Sequence, residues 1–214
     1  MELRQVVLAR VLQLIRNLGS AGYLPDLVAK VQEQYQFVLA PKIQDLVPGD
    51  PAKGAEFKHG KLMLFGRTVI IHQLTVFNDG IAADTLTSTD DGEAFINNLI
   101  IWAQKEMPNA VVTGPRFYLS QLEVKANNSF DRYRAAFFAL GESIRTTLMG
   151  YGIETPRYEV STINLNFDQV GKVPPQPGIF YIDRRVGIPY SENVWLSQAP
   201  MRTNDHLKLL TEMD

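Results

Sequence analysis

The stretch FNDGIAADTLTSTDDGEAF, Phe77 to Phe95, carries Asp79, Asp84, Asp90, Asp91 and Glu93. Acid at this density suits a hard cation. Magnesium needs only one or two carboxylates beside water or phosphate oxygens, and Asp84, Asp90 and Asp91 are the side chains that would hold it. With Arg184 or Arg185 set against a phosphate, such a site would belong to a metal-assisted phosphoester hydrolase. Most of these acids also have a local explanation. Asn78-Asp79-Gly80 is a tight hairpin turn, because all three residue types tolerate positive φ. Asp90, followed three residues later by Glu93 and then by AFINNLIIWAQ, has the form of a helix N-terminus, where unpaired N–H groups favour negative charge. Asp84 alone has no such reason, and the spacing does not fit an EF-hand loop. The expectation is therefore turn and cap chemistry, with no metal and no cofactor.

Other catalytic constellations are thinner still. With no cysteine in the chain, thiolate nucleophiles, thiolate metal sites and disulfides are excluded. The three histidines, His59, His72 and His206, lie in no paired metal-ligand spacing and beside no nucleophile signature. His72 shares strand parity with Ile70, Leu74 and Val76 and is expected in the core. His206 falls in the first turn of the last helix, where it could meet a partner. No GxxxxGK[ST] or GxGxxG loop cradles a phosphate, although a small-molecule or nucleotide sensor needs neither.

The C-terminal third interleaves arginine with aromatic residues: Arg184, Arg185, Tyr190, Trp195 and Arg202, with His206 close by. Guanidinium forks and large rings are enriched at binding hot spots. Against this stands ordinary strand alternation, which would send Arg184 and Arg185 to opposite faces and the rings into the core. Arg116, Arg132, Arg134 and Arg157 sit near the starts of other elements and could join a composite basic pocket. The PxxP spacing at Pro174 to Pro177 reads as a stiff connector.

The elements that must position these groups follow from periodicity. Apolar residues at Leu3, Val7, Val11, Leu14 and Leu18 step by three and four, which predicts an amphipathic helix ending at Gly19 to Gly22. A second helix opens at Pro25-Asp26 and runs through Leu27, Val28, Val31 and Tyr35 to Val38, so residues 1–47 form a helical hairpin. PGDPAKGAE, Pro48 to Glu56, is a linker, and residues 55–214 form the main domain. There KLMLF, TVIIHQLTVF and IAADTLT are strands, a helix spans roughly 91 to 106, and RFYLSQLEV at 116–124 is another strand. Phe130, Tyr133, Phe137, Leu140, Ile144 and Leu148 define the clearest helix, closing at Gly150 and Gly152. YEVSTINLNF, GIFYIDRRVG and NVWLS add strands, and Thr203 or Asn204 caps a final helix. This order implies an α+β fold: an antiparallel or mixed sheet with helices mainly on one face, preceded by the hairpin.

Composition agrees with a folded, cytoplasmic protein of ordinary make-up: 214 residues, 45% hydrophobic and 21% charged. A net charge of -2 argues against non-specific nucleic-acid binding. Arg4, Arg10 and Arg16 interrupt the first apolar run, against a membrane anchor. The function expected is non-enzymatic: a protein-binding or assembly subunit, self-association included, that acts through the hairpin and the C-terminal arginine and aromatic residues.

Overall fold

The computed structural model describes residues 1–16, 25–42, 54–64, 66–106, 111–128, 130–154, 158–166 and 178–214. The expected helix end at Gly19 to Gly22, most of the Pro48 to Glu56 linker, Arg157 and the Pro174 to Pro177 connector lie outside them. The fold is α+β, and the described residues form four helices and eight antiparallel strands in the order β2-β3-β4-β1-β5-β8-β7-β6. These are β1 (Glu2–Arg16), β2 (Ala55–Leu64), β3 (Arg67–Val76), β4 (Gly80–Thr85), β5 (Val111–Lys125), β6 (Thr162–Leu165), β7 (Phe180–Arg184) and β8 (Val194–Ala199). The helices are α1 (Pro25–Tyr35), α2 (Thr89–Glu106), α3 (Asp131–Gly150) and α4 (Thr203–Met213).

The chain begins with a long strand, so the expected N-terminal helical hairpin is not formed. In VVLARVLQLI nearly every position is apolar, and such a run satisfies a period of 3.6 and a period of 2 equally well. Two facts favour the strand. Val6, Val7, Val11 and Ile15 are β-branched and lose little rotamer freedom there. The strand is also internal to the sheet, pairing antiparallel with β4 from Ala9↔Thr85 to Leu14↔Gly80, and it buries Ala9, Val11, Gln13 and Ile15 on one face while Leu12 and Leu14 on the other stay half-buried, so apolar residues occupy both faces. Of the hairpin only α1 remains. It stops at Tyr35, because Gln36 takes a left-handed φ of 50° and Val38 and Leu39 turn to bond with β2.

The contacts define two compact units. One comprises Val6–Gln121 with Pro200–Asn204. In it α1 and α2 share a single core with β1, β2, β3 and β4, built on Val11, Ile15, Val31, Phe57, Ile71 and Leu99. Rings meet edge-on at its centre: Tyr35 lies 5.0 Å from Phe95 and 6.2 Å from Trp102. Gly60 is required here, since a Cβ at that position would stand 2.4 Å from the Phe37 ring. The Asn78 to Gly80 turn closes as expected, with the Phe77 amide donating to the Gly80 carbonyl at 2.8 Å.

The other unit comprises Met1–Gln5, Leu122–Ala199 and Asp205–Asp214. Leu122, Val124, Phe130, Ile182, Trp195, His206 and Leu210 are buried in it. Phe130 sets its ring edge-on to Trp195 at 5.3 Å and enters α3 through a left-handed φ of 53°. The strand expected from YEVSTINLNF is confined to the four residues of β6, a sheet edge.

Candidate functional site

The acidic stretch resolves into three separate pairings. Asp84 on β4 stands directly opposite Arg10 on β1, and the guanidinium grips its carboxylate with two bonds of 2.7 Å. Asp91 is buried at the start of α2. It accepts from Arg67 and, at 2.6 Å, from the Thr87 hydroxyl, while its backbone amide donates to Ser88 Oγ at 3.1 Å. The helix cap is therefore Ser88, two residues ahead of the Asp90 expected from the sequence. Burial alone would raise the Asp91 carboxyl, but its bonds to Arg67, Thr87 and Ser88 outweigh burial and hold it below the usual range. Asp90 is exposed and meets Arg202 at 3.3 Å and Asn204 at 3.2 Å. Each of the three carboxylates thus has its own cationic partner. No group of three His, Asp or Glu side chains among the described residues is arranged to hold a metal ion.

Between these pairs lies a network with no trace in the sequence. Glu93 on α2 accepts from Arg116 of β5 at 2.8 Å and from Arg202 at 2.6 Å. Arg116 also donates to Gln13 on β1 and to Asn97, both at 2.9 Å, and Arg202 donates to the Tyr118 hydroxyl at 2.7 Å. Beside it, Thr89 and Thr203 are buried and cap each other. The amide of each donates to the hydroxyl of the other, at 3.0 and 2.9 Å. These bonds hold Pro200–Asn204 against the start of α2 and satisfy the Thr89 and Thr203 amides.

The C-terminal arginine and aromatic residues do come together, but inward. Arg184 is 7% exposed, with its guanidinium carbon 4.0 Å from the centre of the Trp195 ring and 4.7 Å from that of Tyr190. It donates to the Tyr190 carbonyl at 3.0 Å and to Asn193 Oδ1 at 3.2 Å, and Glu159 lies 3.7 Å away. Asn193 also receives the Trp195 indole N–H at 3.0 Å. Trp195 and His206 are fully buried. Arg185 points the other way, to Glu123 at 2.9 Å, and Tyr190 keeps one side in solvent. Arg202 belongs to the Glu93 network, and of the other five only Arg185 and Tyr190 reach solvent appreciably.

The histidines exchange the places expected of them. His72 is exposed: around it the buried positions of β3 are Val69 and Ile71, the buried parity changing only further on at Leu74 and Thr75, and it stands beside His59 with ring centres 5.4 Å apart. His206 is sealed in the core, with Nε2 at 2.9 Å from Ser197 Oγ. Ser197 spends its proton on the Tyr181 carbonyl at 2.9 Å, so Nε2 must be the donor. Loss of water holds the imidazole well below its usual value, at about 4.

What remains open is α3. Among its described side chains, Tyr133, Phe137, Phe138, Leu140, Ile144 and Met149 are all more than a third exposed, and only Gly141 is buried. On a helical wheel the apolar residues occupy one arc centred on Gly141. That glycine permits a close approach: a Cβ there would stand 2.3 Å from the Tyr158 carbonyl oxygen. Away from it, the helix and residues 158–164 diverge into an open groove of about 520 Å³, lined by Phe137, Leu140, Ile144, Tyr158 and Ile163. The 3,4 spacing of these side chains is visible in the sequence, but their exposure is not. No helix among the described residues is long and apolar enough to cross a membrane. Comparison with family models, with curated proteins and with solved structures gives no match for this chain.

Proposed function

We propose that the chain is a protein-binding or assembly subunit whose working surface is α3 with the groove beside β6. The observation that carries this is the exposed apolar arc of α3. An amphipathic helix normally turns such an arc to a core, and contiguous exposed apolar surface of this extent marks interaction sites. Helix-in-groove recognition uses anchors spaced like Phe137, Leu140 and Ile144. The acidic residues that would serve a metal-assisted hydrolase are each paired with an arginine, so nothing in their arrangement favours that reading.

The test is binding that depends on α3. Immobilised wild-type chain should retain a defined partner at stoichiometric level, and Leu140→Glu, at a site already 56% exposed, should lose it while keeping the wild-type circular dichroism. Equal retention by the variant would remove α3 from the reading.

A further inference from the structure

We infer that the partner for α3 is a second copy of this chain, in an isologous dimer related by a twofold axis. This rests on the protein-binding reading above and names its occupant.

Area is the first argument. A whole aromatic side chain presents roughly 200 Å², and Tyr133, Phe137, Phe138, Tyr151 and Tyr158 are between 39% and 72% exposed. Leu140, Ile144, Met149 and Ile153 extend the same region, which brings it to about 800 Å² of apolar surface, the share one partner contributes to a standard interface. A typical monomer's largest patch is ~300–600 Å². The surface is thus large enough for a stable dimer without recruiting other parts of the unit.

Shape is the second. Across a twofold axis residue i meets j while j meets i, so one patch must hold both projection and recess. This unit has both: the groove between α3 and residues 158–164, and, on α3 and just past its end, the rings of Phe138 and Tyr151 at 53% and 72% exposure. Apolar residues at three- and four-residue steps along α3 supply the ridges that interlock when two such helices cross.

Charge is the third. Glu142 is answered within the helix by Arg145 at 3.4 Å, and Glu159 at the groove by Arg184 at 3.7 Å. With these two acids answered internally, the groove side of the surface carries no unanswered carboxylate among its described residues to select a basic partner. The three arginines and two acids of α3 give little attraction to anionic lipid, which membrane-surface helices obtain from a strongly basic polar face.

The experiment is sedimentation equilibrium of the full chain from 1 to 100 µM. The expected result is a mass moving toward twice 24.1 kDa as concentration rises. Leu140→Glu should weaken the dimer at least 100-fold, and Phe138→Glu should do the same. Because the chain has no cysteine, Ile144→Cys supplies a second readout: oxidation should yield a disulfide-linked dimer that Phe138→Glu suppresses. A chain that stays monomeric at 100 µM, or a dimer indifferent to both glutamates, would overturn the inference. So would a monomer that co-floats with phosphatidylcholine–phosphatidylglycerol vesicles. A monomer that still holds a different protein in an α3-dependent way would overturn only the second copy; a monomer with no α3-dependent partner would overturn the binding reading too.

Discussion

Between pH 7 and 4, above the range in which Asp91 and Asp214 take up protons, acidification should destabilise this protein through His206. Its imidazole is fully buried, faces the Phe180 ring at 6.3 Å and gives its Nε2 proton to Ser197 Oγ at 2.9 Å. That proton is present in the neutral ring, so the bond gains little from a further charge, while burial opposes it. The folded-state value is about 4 against an ordinary 6.5. Between those limits the unfolded chain binds the proton and the folded chain does not, so stability rises with pH across the window. His206 contributes its full share above about pH 6.5 and loses it progressively as pH falls toward 4. At 1.36 kcal/mol per unit the loss is about 3 kcal/mol, a large fraction of a typical domain's 5–15 kcal/mol. The assay is urea unfolding at half-unit steps from pH 4 to 7.5, on wild type and on His206→Gln, which can still donate to Ser197 but does not titrate. His59 and His72 are present in both proteins and cancel in the difference. That difference should change by about 3 kcal/mol across the window. Parallel profiles would refute the assignment of the acid sensitivity to His206.

Gly141→Ala tests the contact between α3 and Tyr158. Helix propensity alone would favour alanine by ~1 kcal/mol, but the new methyl meets a backbone oxygen at 2.3 Å, so thermal unfolding should show a net loss of ~1–3 kcal/mol; a gain would mean the approach is not made. Thr89→Val and Thr203→Val should each cost ~1–2 kcal/mol, and a double-mutant cycle should show coupling because each hydroxyl caps the other's amide. Strict additivity would argue against the reciprocal pair. Calorimetric titration with magnesium should give no saturable heat, and Asp84→Ala should leave the trace unchanged, since Asp84 is already held by Arg10. Stoichiometric binding abolished by Asp84→Ala would restore the hydrolase reading.

Much of the α+β framework could be read from local chemistry. The Asn78 to Gly80 turn, the α2 run, the α3 periodicity and the Thr203 start of α4 are encoded within a few residues, because caps, turns and periods act at short range. Even there the α2 cap moved from Asp90 to Ser88, since several residues in TSTDD can cap a helix and only the backbone path chooses among them. The apolar run at the N-terminus had two admissible periods, and the choice fell to a pairing partner more than 60 residues away. Asp84 lacked a local reason because its reason, Arg10, lies 74 residues from it in the chain. Residue type likewise says that an arginine among tryptophan and tyrosine is suited to binding, not whether the binder is a ligand or, as for Arg184, the protein's own core. Sequence alone determined which elements form wherever the signal is local. Tertiary structure decided which strands adjoin, which charges meet and which apolar face is left uncovered, because those depend on contacts between residues far apart in the chain.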